Sequence, residues 1–112
     1  MNVDSELMKR DAVLSELVRG IVSAYQPQRI YLFGSKARGD NDADSDYDLL
    51  LVVPDDAQAE RLNGRLAHDL LWELGVAADV VIWSRSRFDR RTRVPASLPA
   101  TVLREGRLLY AA

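Results

Sequence analysis

Residues 33–53 read FGSKARGDNDADSDYDLLLVV. Two aspartates, Asp46 and Asp48, stand one residue apart at the head of an apolar run, with Gly34-Ser35, Lys36 and Arg38 shortly upstream. Ionised carboxylates resist burial without partners, and two side by side repel unless a cation offsets them. A third carboxylate, Asp79, opens the run DVVIW much as Asp48 opens LLLVV. Alternation along a strand puts Asp46 and Asp48 on one face. If the strand holding Asp79 is a neighbour in matching register, three carboxylates converge. Such a group, free of His and Cys, suits a hard cation, and Mg²⁺ where phosphate oxygens complete the shell.

The Gly34-Ser35 turn adds the complementary half. Glycine permits close backbone approach and unusual dihedrals. Backbone N–H groups leading into a short helix at SKAR point toward an anion. Ser35 contributes a hydroxyl, and Arg38 a two-pronged grip on phosphate. A phosphate-cradling turn beside metal-binding carboxylates is the constellation for phosphoryl or nucleotidyl transfer. There, two metals about 3.5–4 Å apart activate the attacking oxygen and neutralise the leaving pyrophosphate. Asp-x-Asp alone fits a solvated loop or a helix cap; its combination with Gly34-Ser35 and Asp79 is what points to chemistry. Lys36 reads as solvated, His68 as a partly exposed structural residue, and Trp72 and Trp83 as core or interface residues.

These residues need a scaffold. The helical spacing of Leu7, Leu14, Leu17, Val18, Ile21, Val22 and Tyr25 predicts one amphipathic helix from about Asp4 to Tyr25, capped by Asp4 or Ser5 and stopped before Pro27. RIYLF (29–33), DYDLLLVV (46–53) and AADVVIW (77–83) read as strands. Asp55 or Asp56 can cap a second helix running to Leu74, with Gly75 at its end. SRSRFDRRTRVPASLP reads as a mobile connector whose arginines form a solvated face. Ser97–Gly106 fits a short helix, and Arg107–Tyr110 a small edge strand. The order predicts an α/β (α+β) protein with one small mixed sheet of three or four strands and helices packed on one face.

Bulk properties narrow the class. A chain of 112 residues favours a single domain, 1–112. A net charge of −2 argues against attachment to nucleic acid by bulk electrostatics. The absence of cysteine excludes disulfides and thiolate metal sites. The charged N-terminal stretch lacks a signal-peptide apolar core, and no apolar run approaches the ~20 residues that span a bilayer. The expectation is a cytoplasmic protein with no membrane partner.

GSKARGDNDADSDYDL resembles the nucleotidyltransferase motif of the polymerase-β superfamily: Gly-Ser, an Arg-Gly shortly after, then, ten residues intervening after the serine, Asp-x-Asp. The layout resembles a minimal nucleotidyltransferase (MNT) domain over almost the whole chain, through the closing LREGRLLY. The resemblance implies that Gly34 and Ser35 hold a triphosphate and that Arg38 is the motif arginine. It implies that Asp46 and Asp48 hold both metals, with Asp79 completing one site and helping to activate the acceptor hydroxyl. It further implies Mg²⁺, two ions, with ATP as substrate. MNT proteins of this kind are the antitoxins of type VII-like pairs with HEPN toxins, and AMPylate a toxin tyrosine. The alternatives are an antitoxin that neutralises by contact alone and a nucleotidyltransferase acting on a small molecule.

Overall fold

The computed structural model describes residues 2–40 and 46–112. The middle of the motif, residues 41–45, lies outside the described residues. Four strands, β1 (Arg29–Phe33), β2 (Tyr47–Val53), β3 (Ala78–Ser84) and β4 (Arg107–Ala111), form one mixed sheet in the order β3-β2-β1-β4. β1 runs antiparallel to both β2 and β4, and β2 runs parallel to β3. The helices are α1 (Ser5–Arg10), α2 (Ala12–Tyr25), α3 (Gly34–Arg38), α4 (Arg65–Leu74), α5 (Arg85–Arg91) and α6 (Leu98–Glu105).

The expected first helix is broken at Asp11. Its extended backbone ends α1, and its side chain accepts the Leu14 N–H at 3.0 Å to cap α2. A short acidic residue competes well for backbone donors, so it starts a new helix more readily than it continues one. Asp4 caps α1, as expected, by accepting from the Leu7 N–H.

The second long helix also starts later than its spacing suggests. Asp55 does not cap it; its carboxylate accepts the Ser86 N–H of α5 at 2.9 Å. α4 begins only at Arg65, after a 3-10 turn at Ala59–Arg61. The Tyr25 hydroxyl fixes that start: it donates to the Asn63 carbonyl and accepts the Ala67 N–H, both at 2.8 Å. Burial raises the Tyr25 pKa, which keeps the phenol protonated as a donor.

Helices cover both faces of the sheet, where packing on one face was expected. Leu14, Leu17 and Ile21 of α2 pack with Leu49, Leu51, Ile30 and Leu32 on the first face, and α4 joins them through Ala67. On the second face Phe88 of α5 and Val102 of α6 pack with Tyr31, Leu50, Val52 and Leu108. The segment read as a mobile connector is therefore largely structural: α5 buries Phe88, which stacks on Tyr31 with ring centroids 5.8 Å apart. The physical reason lies in β2. LLLVV is apolar without alternation, so both of its faces require cover. Trp72, expected in a core or interface, is 84% exposed on α4.

Gly106 joins α6 to β4 with an ordinary φ of −82°. Space is what requires glycine there, since a Cβ would stand 2.5 Å from the Val102 carbonyl oxygen and 2.9 Å from that of Leu32. Backbone oxygens cannot swing aside as a side chain can. Gly106→Ala is expected to lower stability by about 1–3 kcal/mol, read as a fall in denaturant midpoint at constant m-value. An unchanged midpoint would contradict the close approach.

Candidate active site

The parallel register of β2 and β3 brings Asp48 opposite Asp79. Directly paired residues of neighbouring strands share a face, so both carboxylates project on the side of Leu50, Val52 and Trp83. Asp46 precedes β2 and is exposed; Asp79 is exposed on an edge strand, and Asp48 is half-buried. On the other side of β2, Phe33 pairs with Asp48, and Gly34 follows directly.

Gly34 has φ +74°, in the left-handed region that favours glycine. A side chain there would collide with the Asp48 carboxylate, so the turn and the aspartate lie in contact range. α3 starts at this turn, and no side chain caps it among the described residues. Its first backbone N–H groups are thus not claimed by a cap. Ser35 is half-buried in the first turn, and its carbonyl accepts the Gly39 and Asp40 N–H groups at 3.0 and 3.2 Å. Arg38 ends α3, and its Nε donates to Asp40 at 3.1 Å in an exposed pair. Such a pair holds little energy and leaves the guanidinium free to re-pair.

Electrostatics tie these groups together. The Asp48 carboxyl is raised above the ordinary carboxylate range, first by burial, then by Asp79 and Asp46, while Arg38 pulls it down. The strand heads therefore concentrate negative charge that the described cations offset only in part. All the donors are oxygens, which suits a hard divalent cation. Among the described residues, no three Asp, Glu, His or Cys side chains are grouped closely enough to hold a metal by themselves. The expected convergence of three carboxylates is therefore not met among these residues: β2 and β3 align Asp48 with Asp79, while Asp46 stands ahead of β2.

Tyr47, between Asp46 and Asp48, points to the opposite face, where its hydroxyl donates to both oxygens of Asp11 at 2.8 and 3.0 Å. Burial, and then the bond to Asp11, push its pKa up to about 12. Neither residue stands out in the sequence as part of a site; the only signal was an aromatic residue inside the Asp-x-Asp pair. Two surface hollows, of about 450 and 580 Å³, lie beside Tyr47 and beside Trp72, and neither is lined by Asp48 or Asp79.

The raised Asp48 carboxyl has a measurable consequence in the metal-free protein. Between the ordinary carboxylate value and the raised one the folded state binds more protons than the unfolded state. Stability therefore falls as pH rises through that window and stays lowered above it. Asp48→Asn removes the charge. It is expected to raise the thermal midpoint of the metal-free protein at neutral pH, an advantage that vanishes below the ordinary carboxylate range. An advantage unchanged at low pH would mean that the charge is not its source.

Comparison with known proteins assigns the family. The family model for the nucleotidyltransferase domain matches residues 14–108. "Putative protein adenylyltransferase MJ0604" of Methanocaldococcus jannaschii is 33% identical over 105 residues, spanning 92% of this chain and 100% of that protein. A crystal structure of a toxin-antitoxin with AMP-PNP is 25% identical, with a TM-score of 0.55, over 90% of this chain and 73% of that one. A Sulfolobus solfataricus crystal structure, of a "putative nucleotidyltransferase", shares the fold at 20% identity with a TM-score of 0.56, over 89% of this chain and 78% of that one. The match runs from the core of α2 to β4 and takes in the whole carboxylate face, and this chain belongs to the nucleotidyltransferase domain family of enzymes.

Proposed function

We propose that this chain, a single cytoplasmic domain over 1–112, moves AMP from Mg²⁺-bound ATP to an acceptor hydroxyl, a tyrosine of a partner HEPN toxin, and so serves as its antitoxin. The observation that carries the reading is the pairing of Asp48 with Asp79 beside the Gly34-Ser35 turn. The naming of a 33%-identical relative as a protein adenylyltransferase supports the choice of AMP and of a protein acceptor. The toxin-antitoxin structure with AMP-PNP supports the choice of a toxin as partner.

Each residue has a part in this reading. The N–H groups and hydroxyl of Gly34 and Ser35 hold the triphosphate, and Arg38 adds charge against it. Asp46, Asp48 and Asp79 would hold Mg²⁺, which when bound neutralises the leaving pyrophosphate and acidifies the acceptor hydroxyl. Asp79 accepts the hydroxyl proton as the acceptor oxygen bonds to the α-phosphorus and the bond to pyrophosphate breaks. Its exposure on the edge strand lets a residue carried by another protein reach it.

The test is incubation with ATP, Mg²⁺ and the product of the neighbouring gene, which this reading expects to be a HEPN protein, followed by intact-mass measurement. The expected product is the HEPN protein carrying added AMP. Neutralisation of the toxin with no mass gain would leave contact inhibition as the mechanism.

Variants separate the roles. Asp46→Asn and Asp48→Asn are expected to abolish transfer in a folded protein. Asp79→Asn should keep nucleotide binding and lose transfer by roughly a hundredfold or more, the scale of a lost acid–base group. Ser35→Ala should weaken ATP binding by about ten- to a hundredfold, the worth of one charge-assisted contact. Calorimetric titration with ATP and a rate assay read the two effects apart; transfer at the wild-type rate in Asp79→Asn would remove that residue from the chemistry.

A further inference from the structure

Tyr47 occupies the one position between Asp46 and Asp48, yet its side chain lies on the other face of the sheet. Three contacts hold it there. Its hydroxyl donates to both oxygens of Asp11 at 2.8 and 3.0 Å. The Lys36 ammonium sits 4.5 Å from its ring centroid. Its backbone N–H donates to the Ala77 carbonyl at 3.3 Å, next to β3. Asp11 is itself fixed, because its carboxylate caps α2 through the Leu14 N–H. Lys36 belongs to α3, the helix that begins with Gly34 and Ser35.

One residue thus ties four pieces together: the backbone that carries two of the aspartates, the phosphate turn, the head of β3 and the break between α1 and α2. We propose that the Asp11–Tyr47 bond is a positioning device for nucleotidyl transfer. By fixing the rotation of the first residue of β2 from behind the sheet, it sets where Asp46 and Asp48 project in front. The inference rests on the assignment of those aspartates as metal ligands. Neither Tyr47 nor Asp11 touches the substrate, so both act through Asp46 and Asp48. Side chains that orient metal ligands are worth roughly 10–100-fold in metal affinity or activity, and small misplacements of reacting groups cost comparable factors.

The test is Tyr47→Phe, which keeps the ring, its burial and its contact with Lys36 and removes only the hydroxyl. Tyr47 and Asp11 line the hollow of about 450 Å³, so water can reach the released carboxylate and the variant is expected to fold. Mn²⁺ affinity, measured by titration in the presence of a non-hydrolysable ATP analogue, should fall roughly tenfold, and kcat for transfer by a similar factor. KM for ATP should change less than about twofold, because the phosphate turn is intact. Asp11→Ala should give the same losses together with a lower thermal midpoint from the lost cap. The double variant should lose no more Mn²⁺ affinity or kcat than either single one, since both remove one bond.

A Tyr47→Phe protein with a shifted thermal midpoint but wild-type Mn²⁺ affinity and kcat would overturn the proposal, leaving the bond a structural one. Additive losses in the double variant would overturn it as well. A wild-type chain that binds Mn²⁺ with the analogue but transfers nothing would count against the proposed reaction instead, and the Mn²⁺ titrations would still decide the role of Tyr47.

Discussion

The arrangement depends on the parallel pairing of β2 with β3. Parallel neighbours cannot be joined by a tight turn; they need a crossover, which here runs from Pro54 to Ala77 and contains α4. The pairing aligns Asp48 with Asp79 at the heads of two strands whose later residues are apolar. Apolar burial further along β2 holds the charged heads in place. The raised Asp48 carboxyl records first its burial and then the neighbouring charges of Asp79 and Asp46. The Tyr25 hydroxyl serves the same pairing from a distance, since it fixes where α4 begins and hence how the chain returns to β3.

Much of this was legible in the sequence, and the failures have physical causes. The four strands stand within a residue or so of their expected bounds; β1 and β2 are closed by Gly34 and Pro54, which leave few alternatives. The turn at Gly34 and its approach to Asp48 follow from the need for a residue without a Cβ. The helices were harder. Spacing alone carried a single helix through Asp11, because a periodic apolar pattern does not register a cap in mid-course. Asp55 looked like a cap for the helix that follows it in sequence, whereas it accepts from α5, thirty-one residues later.

Cover on the second face was written in β2 and easily missed. An uninterrupted LLLVV cannot belong to a sheet with one wet side, so something had to pack against Leu50 and Val52. The arginine-rich segment supplies it, with one apolar residue, Phe88, among its charges. Composition marked that segment as solvated; a single buried ring decided its structure. The tie between Asp11 and Tyr47 lay beyond sequence reading for another reason. Two residues thirty-six positions apart meet only once α2 has packed on the sheet, and no local pattern announces such a meeting.

The pairing of β4 with β1 bears on the order in which the sheet can assemble. Leu32 faces Arg107, and the Leu108 carbonyl accepts the Asp4 N–H at 2.7 Å, so the last strand of the sheet to be synthesised closes on the first. During translation β1 can find β2 early, but its other edge stays open until β4 has left the ribosome. An open edge is a template for strands of other chains. The exposed interval thus lies between the emergence of β1 and that of β4, and a ribosome stalled upstream of Arg107 releases a chain with a half-built sheet and a sticky border.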